Sequence, residues 1–152
     1  MYIHPRSVAD KIFDAWRSPG RFTKNPDIIR LKSGRLLLVY SDTEAHWGET
    51  TQILTILHSD DNGQTWDKLS EVATADRSKG DERLVTPRIS LHSDDRIAVI
   101  CDHDDFSHFH QDQPPGNWLW WSTDGGKSWD GPNKPNITGF EPDRIMELPD
   151  GR

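Results

Sequence analysis

Ser59 to Trp66 reads SDDNGQTW, and about 63 positions later Ser122 to Trp129 reads STDGGKSW, a spacing of the kind that marks repeated units. The shared skeleton is Ser-x-Asp-x-Gly-x-(Thr/Ser)-Trp, with Asp61 matching Asp124, Gly63 matching Gly126 and Trp66 matching Trp129. Each position has a mechanical task in a tight turn. The carboxylate accepts from backbone N–H groups, the glycine takes a positive φ, the hydroxyl closes a local hydrogen bond, and the indole anchors the turn to a core. The pair reads as a folding device written twice, which makes Asp61 and Asp124 turn residues in preference to metal ligands or catalytic acids.

A second repeat runs in phase with the first. NPDIIRLKSGRLLLVYSD (Asn25 to Asp42), TPRISLHSDDRIAVICD (Thr86 to Asp102) and EPDRIMELPDGR (Glu141 to Arg152) each give a proline, a short apolar run and a polar turn with arginine. In the first two a β-branched run follows, so a hairpin opens each unit, turning at Ser33-Gly34, Asp94-Asp95 and Asp150-Gly151. TQILTILHS (Thr51 to Ser59) and NWLWWS (Asn117 to Ser122) then run straight into the aspartate turns, and WDKLSEVA follows the first of them. Each unit therefore predicts four antiparallel strands. A four-stranded unit of this size cannot bury both sheet faces alone, and stacking such units radially makes a propeller.

The paired Ser-x-Asp-x-Gly-x-(Thr/Ser)-Trp motifs resemble the Asp boxes of the sialidase (neuraminidase) superfamily, also called BNR repeats. In that family they lie between the third and fourth strands of six-bladed β-propellers. The in-phase, proline-led strands extend the resemblance from about Phe22 to the C-terminus. The fold it implies is all-β: a portion of a six-bladed β-propeller, with two four-stranded blades plus the first strand of a third. Residues 1–20 form an N-terminal segment, blade one covers about 21–80, blade two about 81–138, and residues 139–152 begin the third. A full ring needs roughly 300 residues or more. The remainder is therefore expected from a longer chain or from copies of this one.

Composition bounds the partners. The net charge is −7 with basic residues scattered, which argues against a nucleic-acid surface. No continuous apolar segment suggests a signal peptide or membrane span, and Cys101 stands alone, so the expectation is a reducing, cytoplasmic setting. Val8, Ile12, Phe13 and Trp16 are spaced for a short amphipathic helix starting near Ser7. Seven tryptophans are many for 152 residues; some serve as wedges between blades, while Trp47 or Trp118 is the alternative candidate for a sugar-stacking platform.

Strand direction locates the functional face. If each blade runs as a four-stranded meander, the hairpin turns and aspartate turns share one face. The longer connections DTEAHWGET (Asp42 to Thr50) and DHDDFSHFHQDQPPG (Asp102 to Gly116) share the other, with the inter-blade links through residues 73–86 and 131–141. Long loops are where function usually sits. The site is therefore expected to gather His46, His103, His108 and His110 with Glu44, Asp42, Asp102 and Asp104 on that face.

The resemblance also implies roles. The family opens its first blade with Phe-Arg-Ile-Pro, whose arginine grips a substrate carboxylate; here TKNP puts Lys24 at that position, with Arg21 three residues before it. Lysine keeps the charge and loses the bidentate fork. The family's second arginine has no counterpart in YSDTEAHWG, and its catalytic aspartate falls near Glu49, with His46 and Glu44 just upstream.

Three readings follow. The first is a sialidase-like enzyme hydrolysing glycosides of an anionic sugar, with no required cofactor. His46, Glu44, Glu49 and Asp104 carry its chemistry, and Arg21, Lys24, Asp42, Trp47, Arg83, Asp102, His103 and Glu141 bind the carbohydrate. The second is a polysaccharide-lyase-type propeller with Zn or Mn on His108 and His110, whose i, i+2 spacing points both the same way on an extended segment. The third is a non-catalytic carbohydrate-binding or structural propeller.

Overall fold

The computed structural model describes residues 15–45, 50–104, 116–139 and 141–151. Eight strands are present: β1 (Phe22–Arg30), β2 (Leu36–Thr43), β3 (Thr51–Ser59), β4 (Asp67–Asp76), β5 (Arg83–Leu91), β6 (Ile97–Asp104), β7 (Gly116–Ser122) and β8 (Asp130–Asn133). They form two four-stranded antiparallel sheets in the orders β1-β2-β3-β4 and β5-β6-β7-β8. The chain is all-β, part of a β-propeller, and each sheet is one blade. The helix expected from Ser7 lies outside the described residues.

The middle strands are apolar runs because they are covered on both faces. In β2 (LLLVYSDT) all but one side chain is buried, as fits a strand sandwiched between layers. Leu37, Val39, Leu54 and Ile56 of the first blade share one core with Leu84, Ile89, Ile97, Val99, Cys101 and Trp120 of the second. Each fully buried aliphatic side chain contributes about 1.5–3 kcal/mol. This shared layer holds the blades face to face.

The two aspartate turns form as the sequence predicts, with one difference in what they hold. In the first, Asp61 Oδ1 accepts from Ser59 Oγ and the Thr65 N–H, both at 2.8 Å, and Trp66 Nε1 donates to Gly63 O within the turn. In the second, Asp124 accepts from Ser122 Oγ and the Lys127 and Ser128 N–H groups. Trp129 Nε1 instead donates to Ser70 Oγ of β4 at 3.1 Å, and that hydroxyl donates to Gly126 O. The second turn is thus a seam between blades. A Cβ on Gly126 would come within 3.2 Å of the Leu37 side chain.

Both hairpin turns and both aspartate turns lie at one end of the sheets, since Leu36 pairs with Arg30 and Ser59, and Ile97 with Leu91 and Ser122. A third turn follows the second blade, where the Gly151 N–H donates to Leu148 O as Gly34 does to Leu31 O and Asp95 to His92 O. Gly34, Asp95 and Gly151 all take positive φ, at 93, 68 and 80°. Residues 142–148 carry no strand ladder, yet they lie beside β5: the Ile145 N–H donates to Ser90 Oγ at 3.1 Å and the Ser93 N–H to Glu147 at 2.8 Å.

Candidate functional site

The opposite end of the sheets collects the starts of β1, β3, β5 and β7 and the ends of β2 and β6. Its most regular feature is a bulge at the start of each inner strand. Register shifts between Lys24 and Asp27 in β1 and between Val85 and Arg88 in β5, so Asn25-Pro26 and Thr86-Pro87 each face one residue of the neighbouring strand. The residue before each proline is left-handed: Asn25 has φ 54°, Thr86 54° and Glu141 52°. For non-glycine residues this conformation costs on the order of 1 kcal/mol or more, and it persists only where surroundings enforce it.

The register corrects one equivalence drawn from the sequence. Asp42 and Asp102 close the two aligned repeats and look like matching acids near the ends of β2 and β6. In the ladders, however, Lys24 pairs with Ser41 whereas Val85 pairs with Asp102, and Thr23 with Asp42 whereas Leu84 pairs with His103. Asp42 therefore corresponds to His103 and Asp102 to Ser41. Because side chains alternate along a strand, the two aspartates project from opposite faces of their blades.

Asp42 and His103 have matching partners of reversed polarity. Asp42 is buried; it pairs with Arg21 through Nε and accepts from Ser18 Oγ at 2.6 Å. Arg21 also donates to Asp42 O at 2.9 Å and Thr51 Oγ1 at 3.3 Å. At the same place in the second blade, His103 Nδ1 meets Glu82. Glu82 was not singled out in the sequence, although GRFTKNP and DERLVTP align on their prolines and set Arg21 over Glu82. Arg21 thus bridges strands with its guanidinium, a structural use of the side chain expected to grip an anion.

Other expected site residues have structural partners too. Glu44 accepts from the Thr50 N–H at 2.9 Å, from Thr51 Oγ1 at 2.8 Å, and from Thr50 Oγ1. These bonds hold its carboxyl down at about 2, so at neutral pH it is ionised and has no proton to donate. Asp102 is buried: Oδ1 accepts from Asn117 Nδ2 at 2.9 Å, and Oδ2 from the Glu141 N–H at 2.8 Å and Thr86 Oγ1 at 3.3 Å. Arg83 is buried at the start of β5. Trp118 is no open platform: His103 stacks on it at 4.4 Å and Lys134 Nζ lies 4.3 Å from the ring centroid.

Lys24 lines a cleft of about 300 Å³ on the first blade with Trp16, Thr23, Leu38, Tyr40 and Leu57. Burial, reinforced by the Asp42 charge, pushes the Tyr40 hydroxyl up to about 12, so it stays protonated. Tyr40 and Leu57 are buried, so a ligand in the cleft would meet chiefly Trp16, Thr23 and Lys24, an indole beside a hydroxyl and an ammonium.

His46, Trp47, Glu49, His108 and His110, and the side chain of Asp104, lie outside the described residues. Among the described residues, no group of three or more His, Cys, Asp or Glu could hold a metal ion, and no helix is long and apolar enough to cross a membrane.

No family model and no curated protein matches the sequence. Solved structures do. A protein of unknown function from Dyadobacter fermentans superposes with a TM-score of 0.63 at 21% identity, over 81% of this chain and 30% of that one. The α-L-arabinofuranosidase of Fusarium graminearum, in complex with an iminosugar inhibitor, gives 0.53 at 13% identity, over 70% of this chain and 31% of that one. A Hadza microbial sialidase gives 0.52 at 18% identity, over 79% and 26%. The chain spans less than a third of each of these proteins, and at such identities what it shares with them is the fold.

Proposed function

We propose that this chain forms part of a carbohydrate-active propeller enzyme that hydrolyses a glycosidic bond. The observation that carries the reading is the convergence, at one end of the inner strands, of the Lys24–Tyr40–Trp16 cleft, the Glu82–His103 pair and the strained pre-proline residues Asn25 and Glu141. Its structural neighbours include an arabinofuranosidase and a sialidase, both of which act on glycosides, and this supports the same reading. His46 is proposed as proton donor or base, with Glu49 and Asp104 as the carboxylates a glycosidase needs around its scissile bond. Lys24, Trp47 and His103 bind the sugar in this reading, Asp42 and Asp102 hold the strands that carry them, and Glu44 clamps the β2–β3 connection.

An anionic, sialic-acid-like substrate was expected from Arg21, Lys24 and Arg83. The Arg21–Asp42 pair and the burial of Arg83 weaken that expectation and leave Lys24 as the cation lining the cleft. The test is turnover of nitrophenyl α-L-arabinofuranoside and nitrophenyl sialoside by the full-length protein carrying this chain. His46→Ala is expected to cut turnover by roughly 10² or more with the fold intact. Wild-type turnover in the His46→Ala variant would remove His46 from the chemistry.

A non-catalytic binding propeller is the second reading, favoured by one observation: Arg21, Asp42, Glu44 and Asp102 all make strand-holding bonds. Sugar binding without turnover in the same assay would select it.

A further inference from the structure

Three pre-proline residues on successive inner segments share one strained backbone conformation, and they differ in what holds them. Glu141 is exposed, with φ 52°, and its N–H is bonded to Asp102, which is 2% exposed and fixed on its other oxygen by Asn117. The same Asp102 oxygen takes the hydroxyl of Thr86, the pre-proline residue of the preceding blade. One buried carboxylate therefore ties two consecutive pre-proline residues to the end of β6. At the corresponding position of the first blade stands Ser41, whose hydroxyl is buried without a partner among the described residues, so this device belongs to the second blade.

A left-handed non-glycine residue is maintained only where the surroundings over-determine it, and such positions cluster at ligand clamps and active sites. Here the enforcing group is a buried carboxyl with a donor on each oxygen. The residue it fixes carries an exposed carboxylate at the site end of the sheets. The two oxygens of a carboxylate can accept from two adjacent hydroxyls at once, which matches vicinal sugar hydroxyls. It repels a substrate anion.

From this geometry we infer that Glu141 is a substrate-contacting carboxylate that binds the hydroxyls of a neutral sugar, and that Asp102 is the positioning residue that sets its backbone. The inference rests on the carbohydrate reading above and narrows it to an uncharged glycan at this subsite. Glu141→Ala retains the Cβ, and with it the backbone cost, while removing the carboxylate. Asp102→Asn retains shape but places an N–H₂ against groups that all donate, from Asn117, Thr86 and Glu141, so at least one of these bonds is lost.

The experiment is calorimetric titration of the full-length protein with two probes, neutral arabino-oligosaccharide and anionic sialyllactose, alongside hydrogen exchange at the Glu141 amide. Wild type is expected to bind the neutral probe more tightly than the anionic one. Glu141→Ala should weaken neutral binding about tenfold or more, the effect of losing a charged hydrogen-bond acceptor, with the melting temperature unchanged. Asp102→Asn should weaken it similarly and speed exchange at Glu141, and combined with Glu141→Ala it should weaken binding no further, whereas a sugar-contacting Asp102 would add its own loss. Tighter binding of sialyllactose, or unaltered neutral binding in Glu141→Ala, would overturn the inference and leave the carbohydrate reading standing. A wild-type protein that binds neither probe would overturn both, a pattern distinct from the first two.

Discussion

Arg144 Nε donates to Asp27 Oδ2 at 3.0 Å, joining residues 117 positions apart in sequence. The same oxygen accepts the Ile89 N–H of β5 at 3.0 Å, and Oδ1 accepts the Ile28 N–H at 2.9 Å and Arg144 Nη2. Asp27 thereby fastens β1 to β5 and to the segment after the second blade. Burial raises its carboxyl, but Arg144 and the two backbone donors outweigh this and hold it below the usual value. Asp27→Ala is expected to lower stability by about 1–3 kcal/mol, because the Ile89 N–H loses its partner. Arg144→Ala should cost less, about 1 kcal/mol or below, since that side chain is 45% exposed. Denaturant unfolding of both variants checks the order; equal losses would contradict it.

Acid should act through the turns. Asp61 is held at about 2 against an ordinary 3.8, first by the Thr65 N–H and hydroxyl and then by Ser59. Asp124 is held low by Ser128, Ser122 and the Lys127 N–H. A carboxylate depressed in the folded state binds fewer protons there than when unfolded, so stability rises with pH across the interval between the two values. This contribution is complete above about 4 and drains away as pH falls toward about 2. Asp61→Asn should flatten the melting-temperature profile across that interval while leaving activity at neutral pH unchanged. Lost activity at an unaltered melting temperature would show that the turn reading of Asp61 is mistaken.

The repeated motifs made the blades legible, since turn chemistry is local and Gly63, Gly126 and Asp95 announce their own backbone geometry. The site was less so. YSDT and ICDHD each display an aspartate in third place, and matching letter to letter pairs Asp42 with Asp102. The ladders make His103 the counterpart of Asp42 instead, because register is set by the whole apolar pattern and by the bulge at each proline. The correspondence between the Arg21–Asp42 and Glu82–His103 pairs was hidden for the same reason. Long-range partners such as Asp102 with Glu141 leave no local signal at all.

Tyr40 supplies a test at the alkaline end. Its hydroxyl is pushed up to about 12 by burial and by Asp42, whose Oδ2 lies 3.5 Å away. The folded state keeps a proton that the unfolded chain releases near its ordinary 10, so stability present below that value is lost as pH rises toward about 12. Ultraviolet titration should show one phenol ionising late, and Tyr40→Phe should abolish that late step. A single transition near the ordinary value would mean that the Trp16–Tyr40 cleft is open to solvent.

Cys101 is fully buried in the inter-blade core, and burial together with the Asp102 charge raises its thiol well above the ordinary value. The thiolate is the reactive form. Labelling by a disulfide reagent should therefore be negligible in native buffer and should follow the unfolding curve in denaturant. Rapid native labelling would show that the two blades separate readily.

Gly116 and His103 make the sharpest steric prediction. A Cβ built on Gly116 would sit 2.2 Å from His103 Nε2 and 3.0 Å from its Cδ2. The imidazole has little freedom to yield, since Glu82 holds Nδ1 and the ring stacks on Trp118 at 4.4 Å. Gly116→Ala should therefore displace the ring and destabilise the protein by about 1–3 kcal/mol, as overpacking does. If the clash is the cause, removing the ring relieves it. His103→Ala combined with Gly116→Ala should cost clearly less than the two separate losses added together. Strict additivity in that cycle, measured by denaturant unfolding, would show that Gly116 is required for some reason other than the histidine packed over it.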